Sequence, residues 1–436
     1  MEEETTQEQQ QWSLLPREIL ITIAKCLNKT TATAARVDTL RLRSVCKSWR
    51  SSIPTFKQQQ ETLHFPLSLP FPISPNPNHN LRGRFSLAQS SIYFLQPAPS
   101  SPSSSSSKSS SLPWLLRVEE KDADKGRWKP LNPLSKVSTD SIPKWFPKSL
   151  NLLDLRFSQI GVAYSIRFVH EDARTTGSNK EDEEDWTTMR IKTLMQQSSS
   201  LRVDATLAEE FKSTLILRVA VSLSPWSGGD DYAIMAIHNQ GKLGFYKLGD
   251  EKWILISDES KYHDVVHHRG KFYAVDYQGG AVVIDSDLKA KQTVPPLPGR
   301  GCGPRGGQIK FLVKSGDDHL YLVDKFLGSK SVHLEVYKLN ETNKKWERVN
   351  HLNDQVFFVG DDCCFSVSTQ DFPALKGNCI YFPLTCYNFY GEEDFCDGVQ
   401  DLENGKCGPV ELFQPDHMPM FTLPTWLKSK PPASKK

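Results

Sequence analysis

Residues 262–285 read YHDVVHHRGKFYAVDYQGGAVVID. Three short apolar runs are separated by two tight punctuations, Arg269-Gly270 and Gly279-Gly280. The runs are rich in β-branched and aromatic residues, so they predict strands joined as two hairpins. HDVVH places His263 and His267 four residues apart, a spacing that converges on one metal ion only in a helix. On a strand the same two residues lie about 13 Å apart, and the glutamate of a zincin is missing. The segment therefore predicts architecture, and no metal site.

The same texture recurs along most of the chain. IYFLQP, WLLRV, YSIRFV, TLILRVAVSL, AIMAIH, KLGFYKL, KWILIS, KFLVKS, HLYLVD and HLEVYKL are strand-like runs separated by Gly, Asp, Asn and Ser turns. LGFYKLGDEKWILIS and LEVYKLNETNKKWERV form a loose repeat: aromatic strand, polar turn, then tryptophan and strand. Trp253 and Trp346 lie 93 residues apart, about two units of the ~40–50 residues expected for propeller blades. At about 50 residues per blade, the all-β part predicts a propeller of about six to eight blades. A double-sheet all-β fold is the alternative.

The first 56 residues differ. Residues 1–11 form an acidic tail without an apolar face. Residues 12–56 carry eight basic and two acidic side chains and the clearest helical periodicity in the chain. Pro16 suits the first turn of a helix and Glu18 favours its positive end. Ile19, Ile23 and Leu27 recur at i, i+4, i+8, with Leu20 and Ala24 beside them. A second short helix is expected near Val37 to Leu42. A third is expected through Val45, Trp49 and Ile53, ended by Pro54. Three helices in so short a segment make a small core, which suits a unit completed by a partner surface.

Between the two parts, residues 57–80 are proline-rich and predict a linker. SSPSSSSSKSSS and EDARTTGSNKEDEED predict disordered insertions near 98–112 and 171–186 within an all-β domain spanning 81–427. Residues 428–436 form a basic tail. The net charge is +2, so no global polycation is offered to nucleic acid or to a membrane. No run approaches the ~20 apolar residues of a bilayer span. MEEETTQEQQQ lacks the basic-then-apolar profile of a secretory leader, so a cytoplasmic or nuclear location and reduced cysteines are expected.

Few residues suggest bond chemistry. Cys363, Cys364, Cys379, Cys386, Cys396 and Cys407 form no CxxC pair and read as small buried strand residues. Asp361-Asp362 in GDDCCF reads as a turn at a blade edge. There is no Walker loop, no GxSxG and no protein-kinase signature. The expectation is a protein without catalytic residues, metal or cofactor. Arg43, Lys47 and Arg50 around Trp49 would suit a base-stacking peptide. Helical register, however, places Trp49 with Val45 and Ile53 on the apolar side, which favours a protein interface over nucleic acid.

WSLLPREILITIAKCL followed by LRLRSVCKSWRSSIP resembles an F-box, the helical module of about 45 residues that opens many plant proteins. The resemblance rests on Leu15-Pro16 in the first helix and on Val45, Cys46, Trp49 and Arg50 in the last. Beyond it, GRWKPLNPLS, YHDVVHHRGKFYAVDYQGGAVVID, GDDCCFSVSTQDFPALKGNCIYFPL, VQDLENGKCGPVELF and the closing PTWL are similar to the KIB-type β-propeller found behind plant F-boxes. Together these imply a small three-helix F-box followed by an all-β propeller. They further imply a substrate-recognition subunit of an SCF-type ubiquitin ligase, docked on a Skp-family adaptor and through it on a cullin. Leu14, Leu15, Pro16, Ile19, Leu20, Ile23, Leu42, Val45, Cys46 and Trp49 are the candidate adaptor-binding residues, with Arg43, Lys47 and Arg50 at the rim. The alternative is a non-degradative propeller protein that sequesters a partner such as a kinase.

Overall fold

The computed structural model describes residues 15–27, 42–53, 65–70, 83–97, 114–122, 127–134, 155–170, 216–222, 232–238, 241–257, 261–298, 309–316, 318–327, 332–387 and 393–413. The chain divides into two compact units, residues 1–64 and 65–436. The tails 1–11 and 428–436, PTWL and both polar insertions lie outside the described residues.

In the first unit, α1 spans Arg17–Leu27 and α2 spans Lys47–Ser52, with residues 42–45 helical between them. In the second, five antiparallel-rich sheets follow one another. Blade one holds β1 (Leu67–Leu69), β2 (Gly83–Pro97), β3 (Trp114–Asp122), β4 (Arg127–Leu131) and β5 (Leu155–His170). Blade two holds β6 (Ile216–Val221), β7 (Ala233–His238), β8 (Lys242–Lys247) and β9 (Ile254–Ser257). Blade three holds β10 (Tyr262–His268), β11 (Lys271–Asp276), β12 (Ala281–Ile284) and β13 (Ala290–Val294). Blade four holds β14 (Ile309–Lys314), β15 (Leu320–Leu327), β16 (Val332–Asn340) and β17 (Lys345–Val349). Blade five holds β18 (Gln355–Val359), β19 (Cys364–Ser368), β20 (Cys379–Tyr387), β21 (Glu393–Asp401) and β22 (Cys407–Pro409), followed by a 3₁₀ turn at Val410–Phe413.

Strands such as AIMAIH and KFYAVD are continuous apolar runs because both of their faces are covered. In β11, Phe272 and Ala274 pack towards blade two while Tyr273 and Val275 pack towards blade four. Each blade shares one apolar cluster with the next: one with two, two with three, three with four and four with five. A last cluster joins five back to one through Ile92, Phe94 and Ala163 against Phe358, Phe365 and Tyr381. The β-sheets thus form a closed ring, a β-propeller.

Two expectations change. Five blades are present among the described residues, where six to eight were expected. The long β2–β5 ribbon, paired from Gly83 to Pro97, uses up chain without adding a blade. Residues 84–95 pair with β1, β3 and β5, and packing of their side chains against blade five closes the ring. The proline-rich stretch 57–80 is not all linker, because Leu67–Leu69 pair with Leu87–Phe85 and bury Leu69. The spacing of Trp253 and Trp346 does mark two blades. Each indole stands on or beside an outer strand and donates to backbone of the preceding blade's region, Trp253 to Pro70 O (3.2 Å) and Trp346 to Gly279 O (2.8 Å).

Candidate functional site

Leu20 and Ile19 are neighbours on α1, yet Leu20 is 1% exposed and Ile19 46%. Leu20, Trp49 and Ile53 form the centre of the helical unit, with Leu15, Leu42 and Cys46 packed around them. The expected single helix through Val45, Trp49 and Ile53 is broken. Cys46 is extended (φ −157°, ψ 173°) and caps α2, its Sγ accepting from Trp49 N at 3.4 Å. This break turns Val45 away from Trp49 and leaves it 59% exposed. Ile53 is the other cap, its N–H donating to Trp49 O at 2.9 Å.

The candidate residues therefore separate into groups that periodicity alone left mixed. Leu20 and Trp49 are core; Leu15, Ile23, Leu42 and Cys46 are half-buried; Pro16, Ile19 and Val45 are exposed; Leu14 lies outside the described residues. The rim charges also separate. Arg43 donates to Ile53 O, and Arg50 Nε donates to Arg43 O at 3.1 Å, so both brace the short helices. Lys47 is exposed at the start of α2. The outward surface thus offers Ile19 and Val45 as apolar groups and Lys47 and Arg50 as charges.

In the propeller, the residues weighed for chemistry are used for construction. His263 Nδ1 accepts from Lys310 N (3.3 Å), His267 packs on Phe272 and His268 on Tyr273. Burial, then nearby cations, hold His238, His263 and His267 down to about 4. Burial pushes the Cys364 and Cys379 thiols up to about 12, far from a reactive thiolate. Asp362 of GDDCCF sits in the turn between β18 and β19 and takes a bidentate pair from Arg117 (2.8 and 2.7 Å). Asp361 N donates to Leu134 O (2.7 Å), so GDDCCF of blade five grips NPL of blade one. Arg218 reaches out from blade two to the other blades. It lies 3.6 Å from Asp264 of blade three, over the Phe311 ring of blade four, and donates to Gly360 O of blade five.

Neither Arg117 nor Arg218 was among the sequence candidates. The available signal was a single arginine inside an apolar strand, as in WLLRV and ILRVAV.

The model of the family described as KIB1-4 beta-propeller matches residues 84–409. The chain belongs to the plant F-box proteins that carry a KIB-type β-propeller. Among its relatives, F-box protein SKIP23 of Arabidopsis thaliana is 27% identical over 96% of each chain. Putative F-box protein At5g60060 of the same plant is 30% identical over 85% of this chain and 87% of its own. These F-box proteins and the KIB model indicate no enzymatic family. A solved chain titled Kuenenia stuttgartiensis Hydrazine Synthase aligns over 45% of this chain and 54% of its own at 13% identity, with a TM-score of 0.27. That likeness is too weak to carry an argument.

Proposed function

We propose that this F-box protein is the substrate-recognition subunit of an SCF-type ubiquitin ligase. The helical unit docks on a Skp-family adaptor, the adaptor joins it to a cullin, and the propeller captures the target protein. The observation that carries this reading is the helical unit itself. Among the described residues its small core holds Leu20, Trp49 and Ile53 as the buried apolar residues, while Ile19 and Val45 stay exposed. Exposed aliphatics on so small a unit fit a surface completed by a partner. The subunit contributes proximity: holding a target lysine near a charged conjugating enzyme raises its effective concentration. The work is done in the cytoplasm, the nucleus or both.

The test is co-purification with a plant Skp homologue. Replacing Ile19 and Val45 together by aspartate should abolish capture, by at least about 2 kcal/mol in binding, while far-UV dichroism stays unchanged. Full capture by a folded double variant overturns the docking model.

A further inference from the structure

The outer strand of a blade turns a row of backbone N–H and C=O groups outward, and such an edge invites a further strand. Four outer strands of this ring are guarded against that. β4 includes Lys129 and Pro130, β13 carries Lys291, β17 carries Lys345, Glu347 and Arg348, and β22 is three residues long and ends at Pro409. β9 of blade two reads ILIS, with no charge and no proline. Among the described residues it pairs with β8 alone.

Ile254 is 40% exposed and Leu255 38%. As neighbours on a strand they stand on opposite faces. Ile256, on the face of Ile254, packs towards blade three, and Trp253, on the face of Leu255, packs towards blade one. The edge thus shows an aliphatic group on each face. Ile254 and Leu255 pair regularly with Phe245 and Gly244, and the register shifts beyond them, between Leu255 and Ser257. Trp253, buried and bonded to Pro70 O, holds the start of the strand in place, so an incoming strand meets a fixed edge.

Charge at the two ends selects the occupant. Asp250, Glu251 and Lys252 precede the strand and are exposed; Asp258, Glu259 and Lys261 follow it in sequence. Each end carries two carboxylates against one ammonium. A second copy of β9, paired in either direction, sets net negative ends against net negative ends, which disfavours self-association. The chain's own residues 71–80 contain Pro72, Pro75 and Pro77 and so lack donors that a ladder needs.

We propose that β9 is an interaction edge that takes an extended segment of the captured target protein as a fifth strand of blade two, a segment aliphatic at its centre and basic at its flanks. Backbone hydrogen bonds hold the segment, its aliphatic side chains cover Ile254 and Leu255, and a basic flank meets Asp250 and Glu251. This inference deepens the reading of the propeller as the target-capturing part and rests on it.

Fluorescence anisotropy tests it on the full chain, with a labelled peptide of alternating valine and threonine carrying two lysines at each end. That peptide should bind saturably, and one with glutamates in place of the lysines at least about tenfold more weakly. Ile254→Lys/Leu255→Lys should weaken the lysine peptide at least about tenfold at an unchanged melting temperature, because both side chains are exposed. Asp250→Lys/Glu251→Lys leaves the edge intact and should reverse the preference between the peptides; if the edge variant melts lower, this reversal decides alone. No saturable binding, equal binding of the two peptides, an unreversed preference, or undiminished binding by a folded edge variant overturns the proposal. So does a natural chain that dimerises in sedimentation where the edge variant does not, since the edge then belongs to a second copy. Capture of the Skp homologue should be the same for all three chains, so failure of the docking model registers separately.

Discussion

Trp49 shows how burial decides the meaning of a residue. Flanked by Lys47 and Arg50, it resembles a surface ring, yet it is 8% exposed and packed against Leu20 and Ile53. Its replacement by alanine should act through stability. The expected cost is about 3 kcal/mol of unfolding free energy for the helical unit, read by denaturant unfolding followed in the far ultraviolet. Adaptor capture should fall in parallel with the folded fraction. The aspartate variants of Ile19 and Val45 should instead lose capture while remaining folded. A Trp49→Ala chain of natural stability would place the indole in the interface after all.

At the scale of elements, the ring closes at one seam without an exchanged strand. Blade one offers Arg117 on β3 and the NPL segment after β4; blade five offers the turn between β18 and β19. Gly360 stands where an added Cβ would lie 2.5 Å from Leu134 O, so the turn admits no side chain there. Arg117 also donates to Ser90 Oγ at 2.8 Å, so its guanidinium is matched on three sides. Arg117→Met should remove the bidentate partner of buried Asp362, costing about 3–5 kcal/mol. The double variant Arg117→Met/Asp362→Leu should recover most of that loss. Chemical denaturation of the four chains measures the coupling, and additive losses would show that the pair does not act as one latch.

For the whole molecule, the buried charges and histidines set how the propeller meets acid. His238, His263 and His267 titrate near 4 in the folded ring, while an unfolded histidine titrates near 6.5. Between those values the unfolded chain binds more protons, so stability is full above about 6.5 and falls as the pH drops towards 4. Each histidine contributes up to about 1.4 kcal/mol per pH unit in that window, less for half-buried His263. Melting temperatures between pH 7 and 5 should therefore decline, and His238→Phe should flatten the curve. Arg218 gives the same interior its rigidity, since one guanidinium touches three other blades.

Strand identity, the tryptophan repeat and the split between a helical start and an all-β remainder were set by local pattern, because apolar alternation and turn residues act over a few positions. KFYAVD announces a strand covered on both faces, and the two-residue turn Arg269-Gly270, with φ of 47° and 73°, closes its hairpin as Gly270 suggests. Blade number, ring closure and the roles of Arg117 and Arg218 depend on contacts between residues up to 245 positions apart. Such contacts leave no periodic trace. The same holds in the helical unit, where one extended residue, Cys46, turned Val45 outward and kept Trp49 within. Propensity along the chain determined which elements form; only the packing of distant elements decided which charges are matched and which apolar side chains are left facing out.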